Sequence, residues 1–353
     1  MRALDEPLSL NGSHGEGGGA LFRSAVVMSA LTQLPLKLHS IRGATRKPGL
    51  TAEDLAFLEI VRQSTKAEIR GDDIGSLELM FAPKRPPRAV DVDLDITRFQ
   101  AGKTPGNCLI VAQSVLPLLA RTGAYSRIHL WGETHNPNTL VFDAFAKSTC
   151  AAHRAQGLYL FPSLSSAGFG YGGRGEFTMD IEPSALEPLA WGNRGDLLAC
   201  GAEISCVDMA PRFSSDAVSL AGQLLTKRGL EGEASFHEFS GPEPGLSVTF
   251  WAQFERGTGS FTSVMPKGGR ADRTIDQAWA QFEAFLDHPA TVDPYLADQL
   301  LILACLASGK TTFTTPVVTR RLSTIAWVIK QFRPIHLTLK GREGAPGTLT
   351  IEP

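Results

Sequence analysis

The chain has 353 residues, 43% of them hydrophobic and 20% charged, the proportions of an ordinary water-soluble globular protein and more than one core usually spans. Thirty-four Lys and Arg stand against 36 Asp and Glu, a net charge of −2, which excludes a global positive field and leaves only a local basic groove for nucleic acid. Five scattered cysteines without zinc-finger spacing, an N-terminus ("MRALDEPLSLNG") lacking an apolar signal region, and no apolar run of bilayer length lead us to expect a cytoplasmic protein with reduced thiols and no membrane partner.

In chain order, "PLSL" reads as a strand and "ALFRSAVVMSALTQL" as a helix. Between them lies "NGSHGEGGG", whose glycines suit either a flexible turn or close backbone approach to a phosphate. "LKLHSI" (36–41) is a strand, "TAEDLAFLEIVRQST" a helix, and "AEIRG" with "LELMFAP" a strand pair. "NCLIVAQSVLPLLAR" (107–121) carries a helical stripe, "SRIHLWG" is a strand, and "LVFDAFAKSTCAAHRAQG" a helix. Near the C-terminus the pattern returns as "DPYLADQLLILACLASG", "KTTFTT", "RLSTIAWVIKQFR", "IHLTLKG" and "GTLTIEP". Such recurrence predicts an internally repeated α/β (α+β) architecture rather than one doubly wound sheet. The middle breaks it with "LLACGAEISCVDM", "SSDAVSLAGQLLTKRGL", "EASFHEF" and "LSVTFWAQF". We therefore expect a discontinuous large domain (1–186 and 273–353) with a small α/β domain (187–272) inserted.

"ASGKTT" (307–312) ends like a phosphate-binding P-loop, but Ala304 stands where that motif needs glycine, so Gly309 reads as a helix cap. No His/Cys/Asp cluster has metal-site spacing.

Four further segments gain meaning in combination: "GEGGGALFRS" with Glu16 and Arg23, "CLIVAQSVLP" with Gln113, "GETHNPN" with Pro137, and "YLADQL" with Tyr295, Leu296, Ala297, Asp298 and Gln299. In this order they resemble the RNA 3′-terminal phosphate cyclase family, and "RKPGL" (46–50), "GSLELMFAP" (75–83) and "GGRGEFTMDIEP" (172–183) match further landmarks. The resemblance covers essentially the whole chain. It implies three repeated α/β units, shared in shape with the enolpyruvyl transferases, plus a small inserted domain. It also implies ATP-dependent chemistry on an RNA 3′-phosphate end, with no DNA-specific signal. AMP passes through an enzyme histidine to the RNA phosphate, and the 2′-hydroxyl then closes a 2′,3′-cyclic phosphate. By the same resemblance Glu16 and Asp298 would hold a divalent cation, magnesium or manganese. Arg23 would meet phosphate, and Gln113, Pro137 and the Tyr295–Gln299 segment would hold adenosine. Taken singly, Arg23, Gln113, Tyr295, Asp298 and Gln299 read as ordinary helix positions, and it is the four segments in family order that reverse that reading.

The chain departs from the family at the nucleophile. Aligning Thr324 and Trp327 puts Arg321 where the resemblance implies histidine, and Ile325 where it implies asparagine. A guanidinium stays protonated and cannot carry AMP in that way. His14 and His135 are the alternative nucleophiles to be weighed. Glu53 and Asp54 replace a glutamine–histidine pair and are expected to repel an RNA phosphate, leaving Arg46 and Lys47 as the local basic contacts. The loop "KTPGN" before Gln113 has a proline within it. A catalytically silent scaffold for RNA or a protein, and an adenylyl transferase with another acceptor, are the competing readings.

Overall fold

The computed structural model describes residues 6–100, 106–170 and 172–352. Its first unit runs β1 (Leu8–Asn11), α1 (Gly19–Thr32), β2 (Leu36–His39), α2 (Ala52–Thr65), β3 (Glu68–Arg70) and β4 (Leu79–Ala82). The sheet order is β1-β2-β4-β3, with β1 and β2 parallel and the remaining pairs antiparallel. The second unit repeats this. β5 (Asp91–Asp95), α3 (Cys108–Leu119) and β6 (Ser126–Gly132) lead into a helical segment, followed by β7 (Leu160–Ser166) and β8 (Gly175–Ile181), ordered β5-β6-β8-β7. That segment is α-helical at α4 (Phe142–Ala144) and α5 (Cys150–Ala155) and widens into a π-turn over Phe145–Thr149.

The third unit opens with β9 (Ala190–Trp191) and is then interrupted. The interruption comprises β10 (Leu197–Val207), α6 (Pro211–Lys227), β11 (Glu233–Glu238), β12 (Gly245–Phe254), β13 (Gly257–Val264) and α7 (Ala271–Leu286), with its own sheet ordered β11-β10-β12-β13. The unit resumes through α8 (Leu296–Gln299), α9 (Leu301–Ala304), β14 (Thr311–Thr315), α10 (Arg320–Phe332), β15 (His336–Lys340) and β16 (Gly347–Glu352). Its sheet, β9-β14-β16-β15, has the same parallel–antiparallel–antiparallel pattern as the other two. The fold is thus a mixed α/β structure of four small sheets.

The strands alternate buried and exposed residues, as in the BeBe pattern of β1, so each of the three sheets offers one apolar face to the helices. α1 is apolar over most of its surface, Arg23 apart, because it lies centrally, touching α2, α3 and α10; Leu21, Phe22 and Ala25 through Met28 are all buried. One core spans the three units, and a second joins α6 and α7 to the inserted sheet. Packing draws the edges of the inserted unit differently from 187 and 272. β9 pairs with β14 in the third sheet, and α7 contributes Ile275, Trp279 and Phe282 to the second core. Among the described residues no helix is long and apolar enough to cross a membrane.

Candidate functional site

A cavity of about 550 Å³ lies between the three-unit body and the inserted sheet. The glycine loop forms one wall, and its backbone explains its composition. Gly15 and Gly17 take φ of +61° and +56°, conformations that a side chain disfavours. A Cβ on Gly15 would fall 2.2 Å from Thr324 Oγ1 on α10, the same hydroxyl that accepts the Glu16 amide at 2.9 Å. The loop is therefore docked on α10. This delivers Glu16 to the cavity, where its carboxylate accepts the Leu21 amide at 3.3 Å, and places the first turn of α1 (Gly19, Ala20) in the wall.

Beneath that turn sits a charged floor. Arg23 and Arg42 both line the cavity and both reach Asp54, whose side chain is 0% exposed. Asp54 accepts from Arg23 Nη1 at 2.8 Å, from Arg42 Nε at 2.9 Å, and from the amide and hydroxyl of Thr51 at 3.1 and 3.0 Å. The Thr51 bonds are the capping box that starts α2. Burial acts to raise the Asp54 pKa, but Arg42 and Arg23 together outweigh it and hold the group below the ordinary carboxylate range. Glu53 is different: burial lifts its pKa, and it accepts only the Asn107 amide at 3.2 Å with Arg23 3.6 Å away. Asp54 is consumed in orienting the two guanidiniums, while Glu53 lines the cavity with them, so the two carboxylates expected to repel RNA phosphate are met by an equal number of cations.

On the facing wall, α8 and α10 bring Tyr295, Leu296, Gln299 and Arg321 to the cavity, and the 136–140 loop brings Pro137. Asp293 starts this turn, accepting the amides of Tyr295 and Leu296 at 2.8 Å each. Asp298 is buried with its Oδ2 3.6 Å from Arg321 Nε. Burial pushes both Asp293 and Asp298 up to about 6. Asp298 opens not to the cavity but to a smaller cleft beside it, which also holds Gln113 and shares Arg23, Gln299 and Arg321 with the cavity. The buried Gln113 amide bonds His153 Nε2 at 3.1 Å. Burial drops the His153 pKa to about 4, leaving that ring neutral.

The remaining expected residues lie outside the cavity lining. Ala297 is fully buried, and Arg46 and Lys47 are exposed on the loop that carries Arg42. His14 is exposed and stacks on Trp327 with ring centroids 3.8 Å apart. His135 has no exposed surface; it stacks on Phe169, its Nδ1 is bonded to Thr134 Oγ1, and its Nε2 lies 3.6 Å from Asp143. Neither histidine is itself among the lining residues, though each adjoins one, His14 near Glu16 and His135 beside Asn136. Lys103 to Pro105 of the "KTPGN" loop lie outside the described residues. Lys310 of the rejected P-loop ending pairs with Glu352 at 2.9 Å, and Gly309 takes φ +137° after α9.

The sequence reading missed Arg42, Asp293 and Asn136, and it missed the polar wall that the insert supplies through Ser260, Thr262, Gln277 and Gln281. Only Asp293 left a signal, an aspartate two residues before Tyr295 of the kind that accepts amides at the start of a helical turn. Among the described residues no group of three His, Cys, Asp or Glu side chains is placed to hold a metal ion.

The family model described as RNA 3′-terminal phosphate cyclase matches residues 14–339. Similar proteins carry the same name. One from Methylococcus capsulatus is 29% identical over 346 residues, covering 98% of this chain and 96% of that protein. One from Pseudomonas fluorescens is 34% identical over 328 residues, covering 91% of each, and one from Ectopseudomonas mendocina is 31% identical over 323 residues, covering 91% and 92%. A match across nearly the full length takes in the glycine loop, both walls and the insert together, and by it the chain belongs to the RNA 3′-terminal phosphate cyclase family.

Proposed function

We propose that the protein is an ATP-dependent RNA 3′-terminal phosphate cyclase whose nucleotide lies in the cavity between the repeats and the insert. The observation that carries this is the convergence of Glu16, Arg23, Pro137, Tyr295, Gln299 and Arg321, drawn from opposite ends of the chain, on one cavity. Three guanidiniums, Arg23, Arg42 and Arg321, line it and suit a polyphosphate. Tyr295, about half exposed, offers a flat face to a base, and Gln113 borders the adjoining cleft. A divalent cation fits Glu16 together with the nucleotide's own phosphates, since such ions are commonly held by one or two carboxylates and substrate oxygens. It would neutralise phosphate charge there. Asp298 suits that role less well, being buried against Arg321. Arg46 and Lys47, exposed on the loop that carries Arg42, would guide the RNA backbone in a salt-sensitive way.

The reaction exchanges an RNA 3′-phosphate and ATP for a 2′,3′-cyclic phosphate, AMP and pyrophosphate. The test is incubation of purified protein with ATP, magnesium and an RNA bearing a labelled 3′-phosphate. Ends that become resistant to phosphatase, with equimolar AMP, support the reading, and Arg23→Ala should weaken nucleotide binding by about 1.5–3 kcal/mol. Ends that stay phosphatase-sensitive with no AMP formed would leave a family member without the family reaction.

A further inference from the structure

A stacked pair of rings stands next to the cavity without lining it. His14 is exposed and lies over Trp327 of α10, with centroids 3.8 Å apart and 22° between the ring planes. Its backbone is held on both sides. The His14 amide donates to the Asn11 carbonyl at 3.1 Å, and its carbonyl accepts the Gly17 amide at 2.9 Å. Asn11 Oδ1 accepts from the amide and hydroxyl of Ser13 at 2.9 and 2.7 Å. Two residues on, the Glu16 amide donates to Thr324, one turn before Trp327 on the same helix. Trp327 covers one face of the imidazole, so the exposure that His14 keeps is at its other face and its edge. The outcome is a flat ring fixed in advance, which lowers the entropy cost of laying another ring on it.

This platform joins the cavity on one side and basic side chains on the other. Arg321, in the cavity lining, lies six residues before Trp327, about 9 Å along the helix axis. The 40–47 loop packs against the glycine loop: a Cβ on Gly17 would fall 2.4 Å from Ala44 Cβ, and one on Gly43 would fall 3.0 Å from Ser13 Cβ. Arg46 and Lys47 are exposed on that flanking loop, and Lys330 is exposed on the turn of α10 that follows Trp327. An aromatic face among cations is the chemistry that takes single-stranded nucleic acid, its bases stacked on the ring and its phosphates met by Arg and Lys.

Resting on the cyclase reading above, we propose that His14, backed by Trp327, is a stacking platform for a base of the RNA strand upstream of the 3′-phosphate. The strand then leaves the cavity over the glycine loop, with Arg46 and Lys47 along its backbone. Every base has a face to stack, so the platform grips single strand without reading its sequence. A base-paired end would have to splay before it could reach the ring.

The test is the binding of a 5′-fluorescein hexaribonucleotide ending in a 3′-phosphate, followed by anisotropy at fixed salt. Magnesium and an ATP analogue with a methylene bridge between the α and β phosphates are present, so no turnover occurs. Bases are replaced one at a time by abasic sites. One such replacement should weaken binding to the wild type about tenfold, within the range for loss of one stacked base. His14→Ala should weaken the intact strand by a similar factor and show no further loss at that abasic position. His14→Tyr, which keeps a ring, and Trp327→Phe, which keeps one beneath His14, should each retain most of the affinity. A uridine 3′-phosphate mononucleotide, which has no upstream base, should compete equally well for wild type and His14→Ala. Additive losses from His14→Ala and the abasic site, a His14→Tyr protein as weak as His14→Ala, equal weakening of the mononucleotide, indifference to every abasic site, or no strand binding at all would each overturn the platform. The phosphatase assay above is independent of these variants, and its failure in the wild type would remove the cyclase reading and this proposal with it.

Discussion

Replacing Asp54 by asparagine should destabilise the protein by about 3–5 kcal/mol, the range for breaking a buried ion pair from one side. The carboxylate has no exposed side-chain surface and serves five donors from three residues, Arg23, Arg42 and Thr51. Asparagine keeps one acceptor oxygen and turns an amide donor toward two guanidiniums that are only 12% and 15% exposed. Glu53→Gln is the internal control. That group has one backbone bond and a 3.6 Å approach to Arg23, so its loss should cost no more than about 1.5 kcal/mol. At roughly 2–4 °C per kcal/mol for a domain of this size, the Asp54 variant should melt about 6–20 °C lower, read by circular dichroism. The pH dependence has a definite sign. The folded pKa of Asp54 lies below its ordinary value of 3.8, so its contribution is present above that pH and lost as pH falls through the folded value. The gap between wild type and Asp54→Asn should hold from neutral pH down to that point and close below it. An Asp54 variant within about 2 °C of wild type, or a Glu53→Gln loss of equal size, would refute the charged-floor reasoning.

Asp298→Asn should behave in the opposite sense. A carboxylate raised to about 6 contributes stability below its ordinary 3.8 that is lost as pH rises through 6, so the variant's melting temperature should gain on wild type between pH 4 and 7.5, by up to about 3 kcal/mol equivalent; a pH-independent gap would refute it. Gly15→Ala should cost about 1–3 kcal/mol, measured by denaturant unfolding, because the position needs φ +61° and the new methyl meets Thr324; Thr324→Ala should recover part, and a neutral Gly15→Ala would show the loop is not docked as described. Glu203→Gln removes the charge and one of the two buried acceptor oxygens that serve Lys147, His237 and Trp251, so amide exchange in β10 and the π-turn should accelerate, with a loss of about 1.5–3 kcal/mol; unchanged protection would discount this tether between insert and body.

Much of the fold was legible because the period switches cleanly between two and 3.6 and glycine marks the turns, as in "PLSL", the glycine loop and the α1 run. The missed elements lack that contrast. β9 is two residues long, and β13 reads "GTGSFTSV", small and polar because its glycines abut Thr291 and Phe285 and its hydroxyls line the cavity. Glu16, Arg23, Tyr295 and Arg321 could be picked out along the chain. Arg42 could not, since three basic residues share its loop and only folding decides which one meets Asp54. The same blindness to burial made His135 look available.

The inserted unit leaves and rejoins the body at neighbouring points on one strand. Trp191 pairs with Phe313, while Thr291 donates its amide to the carbonyl of Thr314. Nearly a hundred residues therefore hang from the third sheet by two adjacent stitches, and closing so long a loop adds little entropy cost once the module folds on its own core. A short turn between those stitches would be geometrically sufficient to seal the strand, so the module is dispensable to the connectivity of the body. What the module contributes instead is a wall: its polar side chains Ser260, Thr262, Gln277 and Gln281 face the cavity whose floor the repeats supply.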